Sequence, residues 1–242
     1  RRLARVDLGA PMNFETFEPV YEAILADLGF DRGADERARD VATALATSFS
    51  TSRFDGWAGA TVAVVGAAPC LGDELDRVRA ADVVVAASTA ADVLSRHGIA
   101  VDCMVTDLDK NPETAAALTD AGVPVVAHAH GDNVPALREW LPRFDSDHTM
   151  VTTQAAPIGA VDNVGGFTDG DRAAFLADHV GAGRLTFPGW AFDDPAVSPM
   201  KARKLEWAAM LLGWLERRRD ERFDVLDDRR SRVRRAFDAQ VR

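Results

Sequence analysis

Three observations predict an α/β fold: a Rossmann-like, mostly parallel sheet with helices on both faces, flanked by N-terminal and C-terminal helices. From residue 61 onward, short β-branched runs alternate with Ala-rich stretches of helical spacing. The runs are apolar almost throughout instead of at every second residue, as expected of strands buried on both faces. The segments just after them hold the chain's chemically unusual residues, and in such sheets ligands bind beyond the carboxyl ends of the strands.

Residues 17–30, "FEPVYEAILADLGF", and 35–49, "DERARDVATALATSF", carry apolar residues at helical spacing and are separated by "DRGA". Six strands are expected at "TVAVVGA", "DVVVAAS", "CMVTD", "VPVVAHA", "TMVTTQ" and "RLTFPGW". Helices are expected between them at "DELDRVRA", "TAADVLSRHG", "PETAAALTDAG", "VPALREWLPRF" and "DGDRAAFLADHV". A long helix, "KARKLEWAAMLLGWLERR", leads into a charge-dense tail in which Phe223, Leu226, Val233, Phe237 and Val241 keep an apolar stripe. The organisation reads as an N-terminal helical segment over 1–58, an α/β domain over 59–215 and a charged helix over 216–242 that packs on the domain or on a second subunit.

The chain of 242 residues carries a net charge of −10, which argues against a general nucleic-acid or membrane binder. No apolar run approaches the roughly 20 residues that span a bilayer. The start lacks a signal-peptide core, so a soluble cytoplasmic protein is expected. Cys70 and Cys103 lie far apart in apolar stretches and read as buried thiols. The cations are 25 Arg against 3 Lys and the acids 28 Asp against 10 Glu, a surface of the kind found in high-salt cytoplasm.

The loops after the strands narrow the chemistry. Gly66 leads a turn toward Pro69 and a helix, and such turns expose backbone N–H groups suited to phosphate. Ala68 stands where the dinucleotide fingerprint has its second Gly, so that fingerprint does not match. Ser88 or Thr89 is placed to cap the next helix. In "TDLDK", Asp107 and Asp109 lie two apart at a strand end, and in extended chain such residues share a side. They read either as a helix cap with a solvated acid or as a divalent-cation site, because two like charges held together need a positive partner. "HAHGDN" places His128 and His130 on one side, followed by Asp132 and Asn133. No further His or Cys stands at zinc spacing, which leaves hydrogen bonding to a polar ligand or two structural histidines. Thr168 and Asp171 match a capping box, whereas the preceding "NVGG" supplies permissive backbone beside a helix N-terminus, as in a ligand cradle.

Taken together, "VVGAAPCL", "VTDLD", "HAHGDN", "NVGGFTDGDRA" and "KARKLEWA" resemble the archaeal 6-hydroxymethyl-7,8-dihydropterin pyrophosphokinase family, whose α/β domain is similar to that of thiamin pyrophosphokinases. The resemblance runs from about residue 61 to 210. The family commonly has Gly, Pro and Ser where this chain has Ala68, Pro69 and Cys70, and Gly where it has Lys110. The resemblance implies ATP-dependent diphosphate transfer to the pterin hydroxymethyl group, with AMP released, in folate or methanopterin synthesis. On that basis Asp107 and Asp109 are expected to ligate Mg²⁺, with Asp132 as a third acid. Residues Gly165, Gly166, Phe167, Thr168, Asp169, Asp171 and Arg172, with His128 and His130, are expected to position triphosphate and pterin. Asn133 and Asn163 are candidate pterin partners, and Gly66, Pro69, Ser88, Gly131 and Gln154 complete the expected set. Of the three lysines, Lys110 directly follows "TDLD" and Lys201 and Lys204 lie in "KARKLEWA"; they are expected to meet ATP phosphates, the alternative for Lys201 and Lys204 being that they cover a helix start. The expected partners are small molecules, with a homo-oligomer left open. A thiamin pyrophosphokinase, a sugar-nucleotide transferase of related fold and a non-catalytic nucleotide-binding module are the alternatives.

Overall fold

The computed structural model describes residues 12–241. The stretch read for a leader therefore lies largely outside the described residues. Helices α1 (Phe14–Leu28) and α2 (Arg32–Leu45) precede the sheet. Along the chain then follow β1 (Thr61–Val65), α3 (Leu75–Arg79), β2 (Val83–Ala87), α4 (Ala90–Arg96), β3 (Cys103–Thr106), α5 (Pro112–Asp120), β4 (Val125–Ala129), α6 (Val134–Trp140) and β5 (Thr149–Thr153). The remainder is β6 (Val161–Asp162), α7 (Asp169–His179), β7 (Arg184–Thr186), α8 (Pro199–Arg219) and α9 (Arg230–Gln240). The sheet order is β6-β5-β4-β3-β2-β1-β7 and every strand pair is parallel. Successive strands step one way from β1 to β6, and β7 returns to the other side of β1.

Strand alternation divides the core in two. Val62, Val64, Val85, Cys103 and Val105 point to a face covered by α1, α7 and α8. Ala63, Val65, Ala86, Met104 and Ala127 point to the opposite face, covered by α2 through α6. The two N-terminal helices thus lie on opposite faces, and the chain between them crosses the end of the sheet at Gly29 to Asp31. Gly29 makes that turn in the left-handed region, at φ 69°.

Four expectations change. A seventh strand, β6, pairs with β5 across a connection too short for a helix, and two residues leave no periodicity to read. The last expected strand ends at Thr186, because Gly189 turns the chain at φ 75°. Cys70 is only half-buried, and both cysteines are free. The third strand stops before Asp107, because Leu108 takes φ 66°.

The charged tail packs on its own chain. Phe237 stacks on Trp214 of α8, with ring centroids 5.4 Å apart. A Cβ on Gly213 would lie 2.6 Å from Val233 Cγ1, so the glycine lets α9 approach closely. Arg230 and Arg234 converge on the buried Glu216 at 2.8 and 3.2 Å. No helix among the described residues is long and apolar enough to cross a membrane.

Candidate active site

A cleft of about 780 Å³ opens at the carboxyl ends of the strands, within the size range of small-molecule sites. Its floor is the loops after β1 to β5, and its walls are the α1–α2 turn, the start of α7 and the start of α8. At its centre are Asp107 and Asp109. The turn brings them together, not strand alternation: Leu108 N–H donates to Thr106 Oγ1 at 3.0 Å and Asp109 N–H to Asp107 Oδ1 at 3.3 Å. His130 Nε2 stands 3.6 Å from Asp107 Oδ2, and Lys110 Nζ 3.2 Å from Asp109 Oδ2.

The charges here are strained against one another. Burial works to raise Asp107, but hydrogen bonds from His130 and Asp109 and the Arg172 charge hold it well below the usual carboxylate range. Burial and the adjacent Asp107 push Asp109 up. Burial, then Asp107, push Asp169 up to about 7, against Arg172 and Lys110. Three acids this close cannot all ionise comfortably unless a positive charge lies near them. Among the described residues no group of three or more His, Cys, Asp or Glu is disposed to hold a metal unaided. Two hard carboxylates with phosphate and water completing the shell are the donor set that suits Mg²⁺. The residues therefore fit that ion.

Cations face these acids. Arg172 Nη1 pairs with Asp169 at 2.9 Å and Nη2 donates to Phe167 O, while its buried Nε makes no hydrogen bond. Lys204 Nζ lies 5.4 Å from the Phe30 ring centre and 6.0 Å from that of Phe167, a cation–π arrangement. Burial and the Arg172 charge lower the Lys204 ammonium. Lys201 lines the same wall, exposed, at the start of α8.

Many expected site residues line the cleft: Gly66, Pro69, Ser88, Asp107, Asp109, Lys110, His130, Gly131, Asp132, Gln154, Phe167, Thr168, Asp169, Arg172, Lys201 and Lys204. The others do not, for identifiable reasons. Asn133 spends its amide on Asp107 O at 2.8 Å and His128 O at 2.7 Å and accepts from His130 N–H, so it ties two loops together behind the cleft wall. Asn163 likewise bridges Ala155 O and Gly165 N–H. His128 is buried, bonded to Thr152 Oγ1 at 2.9 Å, and burial with the nearby Arg172 and His130 charges keeps it neutral. Asp171 is fully buried and accepts from the Phe167 and Thr168 N–H groups and the Thr168 hydroxyl. Gly165 and Gly166 are packed inside, where a Cβ on Gly166 would lie 2.6 Å from Arg172 Cα. Packing and φ near +90° require these two glycines, so they form no cradle.

Two further readings are corrected. Neither Ser88 nor Thr89 caps α4 through its side chain; Ser88 sits at φ 49° with its buried hydroxyl unpartnered beside the cleft. The Gly66 and Ala68 amides are not free for phosphate, because they donate to Pro188 O and Gly189 O at 3.0 and 2.9 Å. A Cβ on Gly66 would lie 2.4 Å from Gly189 O, so its role is to let the loops after β1 and β7 cross.

The sequence reading missed Asp35, Phe30 and Trp190. Asp35 sits in the first turn of α2, where an acid is ordinary, and only its burial at 4% exposure sets it apart. Phe30 lies in a turn, and Trp190, whose Nε1 donates to Val64 O at 2.9 Å, follows the β7 turn.

Comparison with known proteins agrees with this geometry. A profile described as "6-hydroxymethylpterin diphosphokinase MptE-like" matches residues 38–195. A 6-hydroxymethyl-7,8-dihydropterin pyrophosphokinase of Methanothermobacter thermautotrophicus is 39% identical over 224 residues, covering 84% of this chain and 95% of the relative. Proteins of the same name from Pyrococcus furiosus and Methanocaldococcus jannaschii are 33% and 27% identical, each covering 85% of this chain and 95% and 96% of the relative. With a profile spanning most of the chain and relatives aligned over nearly their full length, this chain belongs to the MptE-like family of 6-hydroxymethylpterin diphosphokinases.

Proposed function

We propose that this protein transfers the terminal diphosphate of ATP to the hydroxymethyl oxygen of 6-hydroxymethyl-7,8-dihydropterin. The hydroxyl loses its proton to solvent, the oxygen–Pβ bond forms, the bond from Pβ to the α–β bridging oxygen breaks, and AMP leaves with that electron pair. The observation that carries the reading is the Asp107–Asp109 pair at the centre of a cleft walled by Lys110, Arg172, Lys201 and Lys204, in a chain of this family. Phosphoryl-type transfer asks a protein mainly to position the reactants and to neutralise charge, and this arrangement is suited to both.

Asp107 and Asp109 would hold Mg²⁺, which when bound neutralises phosphate charge at the transferring group. Lys204 and Lys201 on α8, Lys110 beside the acids and the Arg172 guanidinium would meet the phosphate oxygens. Asp132, exposed on the cleft rim, would contact the outer water shell. The product would serve synthesis of a folate- or methanopterin-type cofactor. The test is incubation with ATP, Mg²⁺ and the hydroxymethyl-dihydropterin at low and at high salt, with AMP measured. Release of AMP that requires the pterin is expected. No release under either condition, or equal release with thiamin in its place, would overturn the reading.

A further inference from the structure

The cleft has two unlike ends about the central carboxylates. Toward β1, β2 and β7 it is lined by small groups such as Gly66, Ala67, Ala87 and Gly189, with Trp190 beyond them. Toward β4 and β5 it runs under the start of α2, where Phe30, Asp35 and Gln154 line it. The second end holds a buried carboxylate. Asp35 Oδ1 accepts from Gly131 N–H at 2.8 Å, and Oδ2 accepts from the Tyr21 hydroxyl and from Gln154 Nε2, each at 2.8 Å. All three donors are neutral.

A buried carboxylate held only by neutral donors is costly, and a purely structural role would be filled more cheaply by an uncharged residue. A carboxylate offers about four acceptor positions, so one remains on Asp35 after these three bonds. Gln154 turns its nitrogen toward Asp35, and its carbonyl oxygen, which also accepts from the His128 imidazole, keeps a second lone pair as an acceptor on the same wall. Phe30, half-buried, adds a flat apolar surface, tilted 29° from Phe167 with ring centres 6.3 Å apart.

We propose that this end, under the start of α2, is the pterin subsite, with the nucleotide occupying the opposite end. The inference rests on the proposed activity. The pyrimidinone edge of a pterin carries two adjacent N–H donors, at N3 and at the 2-amino group, and meets two neighbouring acceptors, Asp35 and Gln154. Adenine places an acceptor, N1, beside its amino donor and leaves one of the two unmatched. The bicyclic ring lies against Phe30 with its hydroxymethyl arm toward Asp107 and Asp109. Asp35 contributes a ligand contact and also fixes the Gln154 amide and the Gly131 loop.

The discriminating probe is the substrate analogue in which the 2-amino group is replaced by oxygen. A site built around N–H donors rejects a partner lacking one of them strongly, so wild-type kcat/KM should fall on the order of a hundredfold or more with the analogue. In Asp35→Asn the discrimination should collapse to within about threefold, with the KM for ATP little changed. Should Asp35→Asn fail to fold, Phe30→Leu, at a half-exposed position that also faces Lys204, should raise the pterin KM more than the ATP KM. Undiminished discrimination in Asp35→Asn, or an effect of Phe30→Leu confined to the ATP KM, would overturn the subsite and leave the proposed activity standing. Absence of turnover by the wild type would overturn the activity instead. Pterin binding followed by its intrinsic fluorescence without ATP then decides the subsite, and binding undiminished by either variant would refute it.

Discussion

Gly131→Ala tests whether the start of α2 holds the "HAHGDN" loop in place. Gly131 does not adopt a positive φ, so backbone strain is not the issue. The added methyl would lie 2.6 Å from Ala34 Cβ and 3.3 Å from Ala34 carbonyl carbon, whereas ordinary contact begins near 3.4 Å. The first turn of α2 must retreat by roughly 0.8 Å, which would carry the 2.8 Å bond from Gly131 N–H to Asp35 toward about 3.6 Å, where it ceases to be a hydrogen bond. Overpacking of this kind costs about 1–3 kcal/mol, and loss of a hydrogen bond to a charged group about 1.5–3 kcal/mol. Together these give about 2.5–6 kcal/mol, equivalent to a fall in Tm of roughly 5–24 °C for a chain of this size. The displaced loop and Asp35 should also lower pterin turnover about tenfold. Differential scanning calorimetry with steady-state AMP release measures both effects. Gly72→Ala is the control, because a Cβ there meets nothing within 4 Å. A Gly131→Ala protein that melts within about 1 °C of wild type and keeps its pterin kinetics would refute the argument.

Asp107→Asn and Asp109→Asn each remove one charge at nearly constant volume, so circular dichroism should show folded protein while Mg²⁺-dependent turnover falls a hundredfold or more. Stabilisation by Mg²⁺ with ATP, about 2.7 kcal/mol at a hundred times Kd, should also be lost. Lys201→Met, Lys204→Met and Lys110→Met should raise the KM for ATP or lower turnover with Tm almost unchanged; unaltered ATP kinetics in all three would discard their assignment to phosphate. His128 is held neutral in the fold, so below its ordinary value near 6.5 the unfolded chain binds a proton that the folded chain refuses, and stability is lost as pH falls through that value. Asp169, raised to about 7, binds its proton more tightly in the fold and gives the opposite slope over the same range, so the measure is the wild-type minus His128→Gln difference in Tm, which should narrow below pH 6.5.

Much of this site was legible along the chain, and for a local reason. Near-continuous apolar strands alternating with amphipathic helices fix a parallel sheet, because each strand must be covered on both faces. The carboxyl ends then follow by counting, and Asp107, Asp109, His130 and Asp132 fall there. The Thr168–Asp171 capping interaction was equally local, since its partners are three residues apart.

What tertiary structure decided is the allegiance of groups whose partners lie far along the chain. Asn133 and Asn163 have the chemistry of ligand-binding amides, yet backbone carbonyls 26 and 8 residues away claim them. Gly66 looks like a phosphate loop, but it exists for the crossing with Gly189, which requires β7 to return beside β1. Asp35 looks like an ordinary first-turn acid until α2 packs over β4 and β5 and brings Gly131 and Gln154 against it, from 96 and 119 residues away. Sequence periodicity records which side of an element is buried; which loops then meet across the sheet end depends on strand order and helix placement, set by the energy of the whole core rather than by any one segment.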